Sequence, residues 1–184
     1  MRFAIDTSSL LAITRYYLPF DRDSLLKNLL LKKVKNKEII ILDEVAIESK
    51  RTAQGVIVKN LDFVDNKEYQ LKTDLLLPTQ KFLNDLENRL CYAVKKKELS
   101  DAEFENRENQ FLKSADAKLV IFCLSNKNQL GLDNHIVVTE ETRAENDNKL
   151  FKKIPEMCNL LGIEHCNVTA LLKEYYHVKM DMSI

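Results

Sequence analysis

Turn formers are scarce: the 184 residues include only three glycines and three prolines. That excludes collagen-like, linker-rich and turn-dense all-β chains, and it predicts a helix-rich protein. No apolar run approaches the roughly 18 residues that a membrane span requires. The opening MRFAIDTSSLLAITRYY carries an acid at position 6, unlike a signal peptide, so a cytoplasmic protein without a membrane partner is expected. An excess of either charge sign is also lacking, because 28 basic residues face 28 acidic ones. Without a global basic field, any nucleic-acid site must be a local patch. The four cysteines, Cys91, Cys123, Cys158 and Cys166, form neither a CxxC pair nor a short disulfide framework, and they read as buried thiols in a reducing compartment.

What is present suffices for a core: 45% of residues are hydrophobic and 30% charged, excluding a disordered chain, and the length suits a single domain over 1–184. Arg2 to Ile5 reads as a strand ending at Asp6, with Thr7, Ser8 and Ser9 as capping candidates for a helix bearing Leu10, Ile13 and Tyr17. A second helix starts near Asp21 to Ser24, turns Leu25, Leu26, Leu29, Leu30 and Val34 inward, and ends in Lys32, Lys33, Lys35 and Lys37. Glu38 to Leu42 is a buried strand, and Asp43 caps a helix through Arg51. Residues 55–78 lack periodicity and read as an irregular connection. From Thr79, the positions Phe82, Leu83, Leu86, Leu90 and Val94 predict one long helix into Lys95, Lys96 and Lys97. Ser100 and Glu103 form a capping box for a helix with Phe104, Phe111 and Leu112, the pair making a hairpin arm.

Asp116 opens an all-round apolar helix expected to be sandwiched against the sheet. After a turn over 126–134, His135 to Thr139 is a strand running into Glu140 and Glu141. A helix over Pro155 to Leu161 stops at Gly162, Ile163 to Val168 suggests an edge strand, and Thr169 caps the last helix. Alternating strands and helices predict an α/β fold on a parallel sheet, whose sites lie at the strands' carboxyl ends.

Asp6 and Glu140/Glu141 leave two such ends, while Glu48 and Asp116 sit on helices that can converge on the same edge. Clustered acids repel one another, and a hard, oxygen-preferring Mg²⁺ or Mn²⁺ relieves that repulsion and supports attack on a phosphodiester. Each acid alone also fits a helix cap. Glu44 lies four residues before Glu48, a like-charge pair that either a cation or Arg51 would compensate.

In order, Asp6-Thr7-Ser8, the helical Glu48 within Leu42–Glu48, Ala115-Asp116-Ala117 and Val138-Thr139-x-Glu141 resemble the motifs of PIN-domain nucleases. The segments Asp6–Asp21, Leu42–Glu48, Val137–Glu141 and Lys153–Leu172 are similar to a bacterial PIN-like family related to VapC-type toxins. The resemblance covers both ends of the chain and leaves a variable segment at about 55–112. It implies a three-layer α/β/α sandwich around a mainly parallel sheet of about 4–5 strands and a Mg²⁺- or Mn²⁺-dependent ribonuclease site. Asp6, Asp116 and Glu141 correspond to metal ligands, Glu48 to the helical acid, and Ser8 and Thr139 to hydroxyls that orient an acid or a water. Glu140 and Glu44 are secondary, and Glu44 remains a rival to Glu48 for the helical role. Glu141 departs from the Asp common in the family, which bears on a second metal. An RNA substrate, an antitoxin or other regulatory protein, and a homodimer through 79–112 are the implied partners.

The lysine groups 32/33/35/37, 95/96/97 and 152/153 are candidate RNA contacts, Lys95, Lys96 and Lys97 foremost, although helix-dipole complementation accounts for two of them. Tyr16 could stack a base, whereas Tyr17 has core spacing, and His135 reads as structural. Cys158, His165 and Cys166 lack a fourth zinc ligand. No glycine elbow or partnered histidine marks a nucleophile, and no P-loop is present. A haloacid dehalogenase-type phosphatase would want an acid two positions after Asp6, where Ser8 stands. A non-catalytic PIN-like module that binds RNA or protein remains the alternative to a nuclease.

Overall fold

The computed structural model describes residues 1–127, 134–142 and 149–179. Five parallel strands form one sheet: β1 (Arg2–Ile5), β2 (Ile39–Leu42), β3 (Gln70–Leu71), β4 (His135–Val138) and β5 (His165–Cys166), in the order β3-β2-β1-β4-β5. From β1 the chain adds β2 and β3 on one side, then returns to add β4 and β5 on the other. The chain leaves β1 and β4 toward opposite sides, and at such a switch point a parallel sheet forms its crevice at the carboxyl edge.

In a parallel pair, residues in register face the same way, so Ala4, Val137 and His135 share one face while Phe3, Ile136, Ile5 and Val138 share the other. The helices are α1 (Thr7–Ala12), α2 (Leu25–Lys35), α3 (Asp43–Arg51), α4 (Val56–Asn60), α5 (Gln80–Asn88), α6 (Ala93–Lys97), α7 (Asp101–Leu112), α8 (Ala115–Lys127), α9 (Ile154–Leu161) and α10 (Val168–Ala170). On the first face Phe122 of α8 meets His135 edge-on at 5.0 Å. On the second, Phe3 lies 4.9 Å and 5.6 Å from the rings of Tyr175 and Tyr176, and Lys33 of α2 lies over Tyr176. The result is the expected α/β/α arrangement on a parallel sheet. Ala115, Ala117 and Leu119 to Cys123 are all buried, so α8 is the sandwiched helix that its composition predicted.

Several expected elements differ. The chain over 55–78 is not merely irregular: it forms α4 and the edge strand β3, which pairs Gln70 and Leu71 with Ile41 and Leu42. Asp43, instead of capping α3 from outside, is its first residue, and its carboxylate accepts from the Thr73 hydroxyl at 2.7 Å and backbone N–H at 3.2 Å. The long helix from Thr79 is broken at Arg89–Tyr92, because Cys91 bridges Phe151 while Tyr92 N–H and Lys152 N–H bond Leu150 and Leu90 carbonyls. Nor do the two helices project as an arm: Phe111 stacks on Phe151 at 4.4 Å, and Phe104 lies 6.2 Å from the same ring. Leu25 is exposed, not inward, since α2 begins there after left-handed backbone at Asp23 and Ser24. Helix α8 continues through Asn126 and Lys127, while the rest of the expected turn over 128–133 lies outside the described residues. The last helix is capped by Asn167, whose side chain accepts from Ala170 N–H, and not by Thr169, which instead bonds Tyr17 at 2.8 Å. Among the described residues no helix is long and apolar enough to cross a membrane.

Candidate active site

The centre of the crevice is Asp6, only 4% exposed, which is itself the N-cap of α1, whereas the expected capping residues Thr7, Ser8 and Ser9 lie inside the helix. Its backbone N–H donates to Val138 O and so continues the β1–β4 ladder, locking the residue beside the exit of β4. One carboxylate oxygen, Oδ1, accepts from Ser9 N–H at 2.7 Å, and Oδ2 accepts from the hydroxyls of Ser8 at 2.8 Å and Thr139 at 2.7 Å. Burial pushes the Asp6 acid above the usual range despite these three bonds, so desolvation of the charged form outweighs them.

The same hydroxyls accept in turn. Ser8 Oγ receives Glu140 N–H at 3.0 Å, and Thr139 Oγ1 receives Glu141 N–H at 3.1 Å. The two glutamates then diverge: Glu140 accepts from Val168 N–H at the start of α10, and Glu141 from Ile154 N–H at the start of α9. Each carboxylate meets otherwise unpartnered helix N–H groups, so both have a structural task. Glu141 Oε1 also lies 3.7 Å from Lys149 Nζ.

On the helical side, Glu48 of α3 accepts from the Thr7 hydroxyl at 2.6 Å. Among the described residues no ion pair joins Glu48 to Arg51, so the arginine is not its compensating charge, and no hydrogen bond ties the Glu44 carboxylate to the cluster. Asp116 is half-buried at the start of α8, and its acid is pushed up to about 7 by burial, then by the charges of Glu141, Glu48 and Asp6, with Lys149 opposing. Asp6, Glu48, Asp116 and Glu141, drawn from four separate elements or exits, thus share one electrostatic neighbourhood.

The donor set is all oxygen, the chemistry that hard divalent cations prefer. Among the described residues, however, no three carboxylate, imidazole or thiol groups stand as a ready-made cage for an ion. Closing on a cation therefore requires side-chain rotation, for which the half-buried Asp116, bound by no hydrogen bond among the described residues, has room.

Several of the remaining candidates are occupied elsewhere. Lys33 pairs with Glu38 at 2.6 Å, Lys95 with Glu98 at 3.4 Å, Lys96 with Glu87 at 3.6 Å, and Lys152 with Glu156. Tyr16 is exposed, whereas Tyr17 is tethered to Thr169. Cys91, Cys123 and Cys158 are buried and Cys166 half-buried; burial pushes the Cys158 and Cys166 thiols up to about 12 and about 11. His165 meets Asn159 at 3.3 Å. Sequence reasoning did not give Thr7 or Lys149 a place in the site. The signal for Thr7 was there, a second hydroxyl between Asp6 and Ser8, but its partner lies 41 residues away.

No curated protein and no solved structure matches the chain. One family model, described as "Domain of unknown function (DUF4411)", matches residues 3–178, nearly the whole length, and the chain belongs to that family.

Proposed function

We propose that the protein is a Mg²⁺- or Mn²⁺-dependent endoribonuclease of PIN-like type, working in the crevice between the exits of β1 and β4. The observation that carries this reading is the convergence of acids at one sheet edge: Thr139 binds the Asp6 carboxylate and receives Glu141 N–H, Thr7 beside Asp6 binds Glu48, and burial together with these acids pushes Asp116 up to about 7. A fold that gathers these carboxyls against their mutual repulsion suits a dication as counter-charge. Asp6, Asp116 and Glu141 would hold it, with Glu48 as the helical acid; when bound, it supplies Lewis-acid charge to the phosphate and lowers the pKa of water. Ser8 and Thr139 fix the rotamer of Asp6, and Ser9 N–H holds its other oxygen, so this acid is oriented before any ligand arrives. Hydrolysis would leave a 5′-phosphate and a 3′-hydroxyl. Lys95, Lys96 and Lys97 are secondary candidates for RNA contact, and an antitoxin or a second copy of the chain are the regulatory partners that accord with it.

One observation favours a second reading, a non-catalytic binding module: Glu140 and Glu141 are already engaged at the starts of α10 and α9. A phosphoaspartate mechanism gains less support, because Ser8 occupies the general-acid position and donates to Asp6. The deciding experiment is cleavage of end-labelled single-stranded RNA with Mn²⁺, Mg²⁺ or EDTA, beside Asp6→Asn. Metal-dependent cutting reduced at least about 100-fold in the variant supports the nuclease. Wild type and variant equally inert on RNA, with no melting shift at millimolar metal, would move the binding module ahead.

A further inference from the structure

The turn after β1 carries two hydroxyls that do different work. Successive residues on a helix point about 100° apart, and here Ser8 reaches Asp6 and the exit of β4, while Thr7 reaches Glu48 on α3. Thr7 is 8% exposed, so its donor is taken out of water, and the 2.6 Å bond to Glu48 Oε2 spans 41 residues of sequence. A hydroxyl deeper in a helix commonly returns its proton to the carbonyl four residues back, as Thr14 does to Leu10 and Thr52 to Glu48. Thr7 is the first residue of α1, where the preceding residues are strand and offer no such carbonyl. Its proton is therefore available to a carboxylate approaching from the side. Glu48 is otherwise an exposed glutamate on a short helix, with three rotatable bonds and one turn away from the equivalent Glu44.

We propose that Thr7 is a positioning residue: its hydroxyl holds Glu48, and not Glu44, toward Asp6 and Asp116, and so selects which acid of α3 belongs to the site. The proposal rests on the nuclease reading, and it assigns a task to the middle residue of the Asp-Thr-Ser turn. It also accounts for the placement of Glu48 although, among the described residues, neither Lys50, which pairs with Asp65, nor Arg51 forms an ion pair with it.

The test compares wild type with Thr7→Val, Thr7→Ser, Glu48→Gln and the Thr7→Val/Glu48→Gln double variant, by RNA cleavage kinetics and by Mn²⁺ titration in a calorimeter. Valine keeps the shape and removes the donor. Thr7→Val is expected to lower kcat about tenfold with KM within about twofold, and to weaken Mn²⁺ binding several-fold. Thr7→Ser should restore both, and the double variant should be no slower than Glu48→Gln alone. A threonine that merely packed would shift the melting temperature and leave kcat and Mn²⁺ affinity unchanged. If wild type cuts RNA and Thr7→Val cuts it equally fast, or if the losses in the double variant multiply, the positioning role is overturned while the nuclease stands. If wild type neither cuts nor binds Mn²⁺, the nuclease reading falls and takes this one with it.

Discussion

Asp6 and Asp116 are both aspartates whose acids burial raises, yet the two sides of the crevice hold them in opposite ways. Asp6 stands at the exit of a central strand, with three short hydrogen bonds and its backbone in the β1–β4 ladder. Among the described residues no hydrogen bond reaches the Asp116 carboxyl, and its neighbours in charge are Glu141, Glu48 and Asp6, with Lys149 opposing them. The strand side is built before a ligand arrives; on the helical side a single bond from Thr7 holds Glu48, and Asp116 is left among charges still to be compensated. Pre-organisation and responsiveness to a cation are thus divided between two elements, each supported by a different kind of force.

The sharpest way to break the contrast on the strand side is Thr139→Val. It removes a donor to the buried Asp6 and the acceptor of Glu141 N–H, so it should destabilise by about 2 kcal/mol, seen as roughly a 4–8 °C fall in Tm. On the helical side the sign reverses. The Asp116 acid rises from 3.8 to about 7 on folding, so the folded chain binds the extra proton between those values. Its favourable contribution is complete below about pH 4 and is lost as pH climbs toward 7. Asp116→Asn should therefore leave stability unchanged near pH 4 and raise Tm by a few degrees at pH 8 without metal, a gain moderated by partial exposure of the carboxyl. Millimolar Mn²⁺ should stabilise the wild type and do less for the variant, read by calorimetry at both pH values. Smallest of all is Glu44→Gln, whose carboxylate is outside the cluster. It should change Tm by less than about 2 °C and cleavage by less than about twofold; an effect as large as that of Glu48→Gln would reverse the assignment of the helical acid.

Much of the strand side was legible in the sequence because its causes are local. An apolar run ending at Asp6, followed by hydroxyls, dictates strand and helix within eight residues, although the cap is Asp6 itself and not Thr7, Ser8 or Ser9, and the same logic found β2, β4, α8 and the Ser100–Glu103 capping box. What escaped was fixed at a distance. The two residues of β3 have no pattern of their own and become a strand because Thr73 is tied to Asp43, 30 positions earlier. The helix expected across 79–97 is continuous in its apolar spacing, yet Leu90 and Tyr92 give their backbone groups to the chain at 150–152. The acids at 140 and 141 stood out as a pair after a strand, but their separate engagements with α10 and α9 depend on where those helices begin.

That division of labour between adjacent glutamates constrains how the chain can evolve. Residues following a strand alternate in direction, so deleting or inserting one position between Val138 and Glu141 would exchange the sides to which the two carboxylates point. Both helix starts would lose their acceptor at once, and the Thr139 hydroxyl would swing away from Asp6. The β4 exit is therefore a place where side chains can drift but length cannot, whereas insertions have room in the exposed stretch at Leu75 and Leu77, between β3 and α5. Relatives that differ in size should differ there, and an engineer seeking a site for a fused tag or a circular break should look there as well.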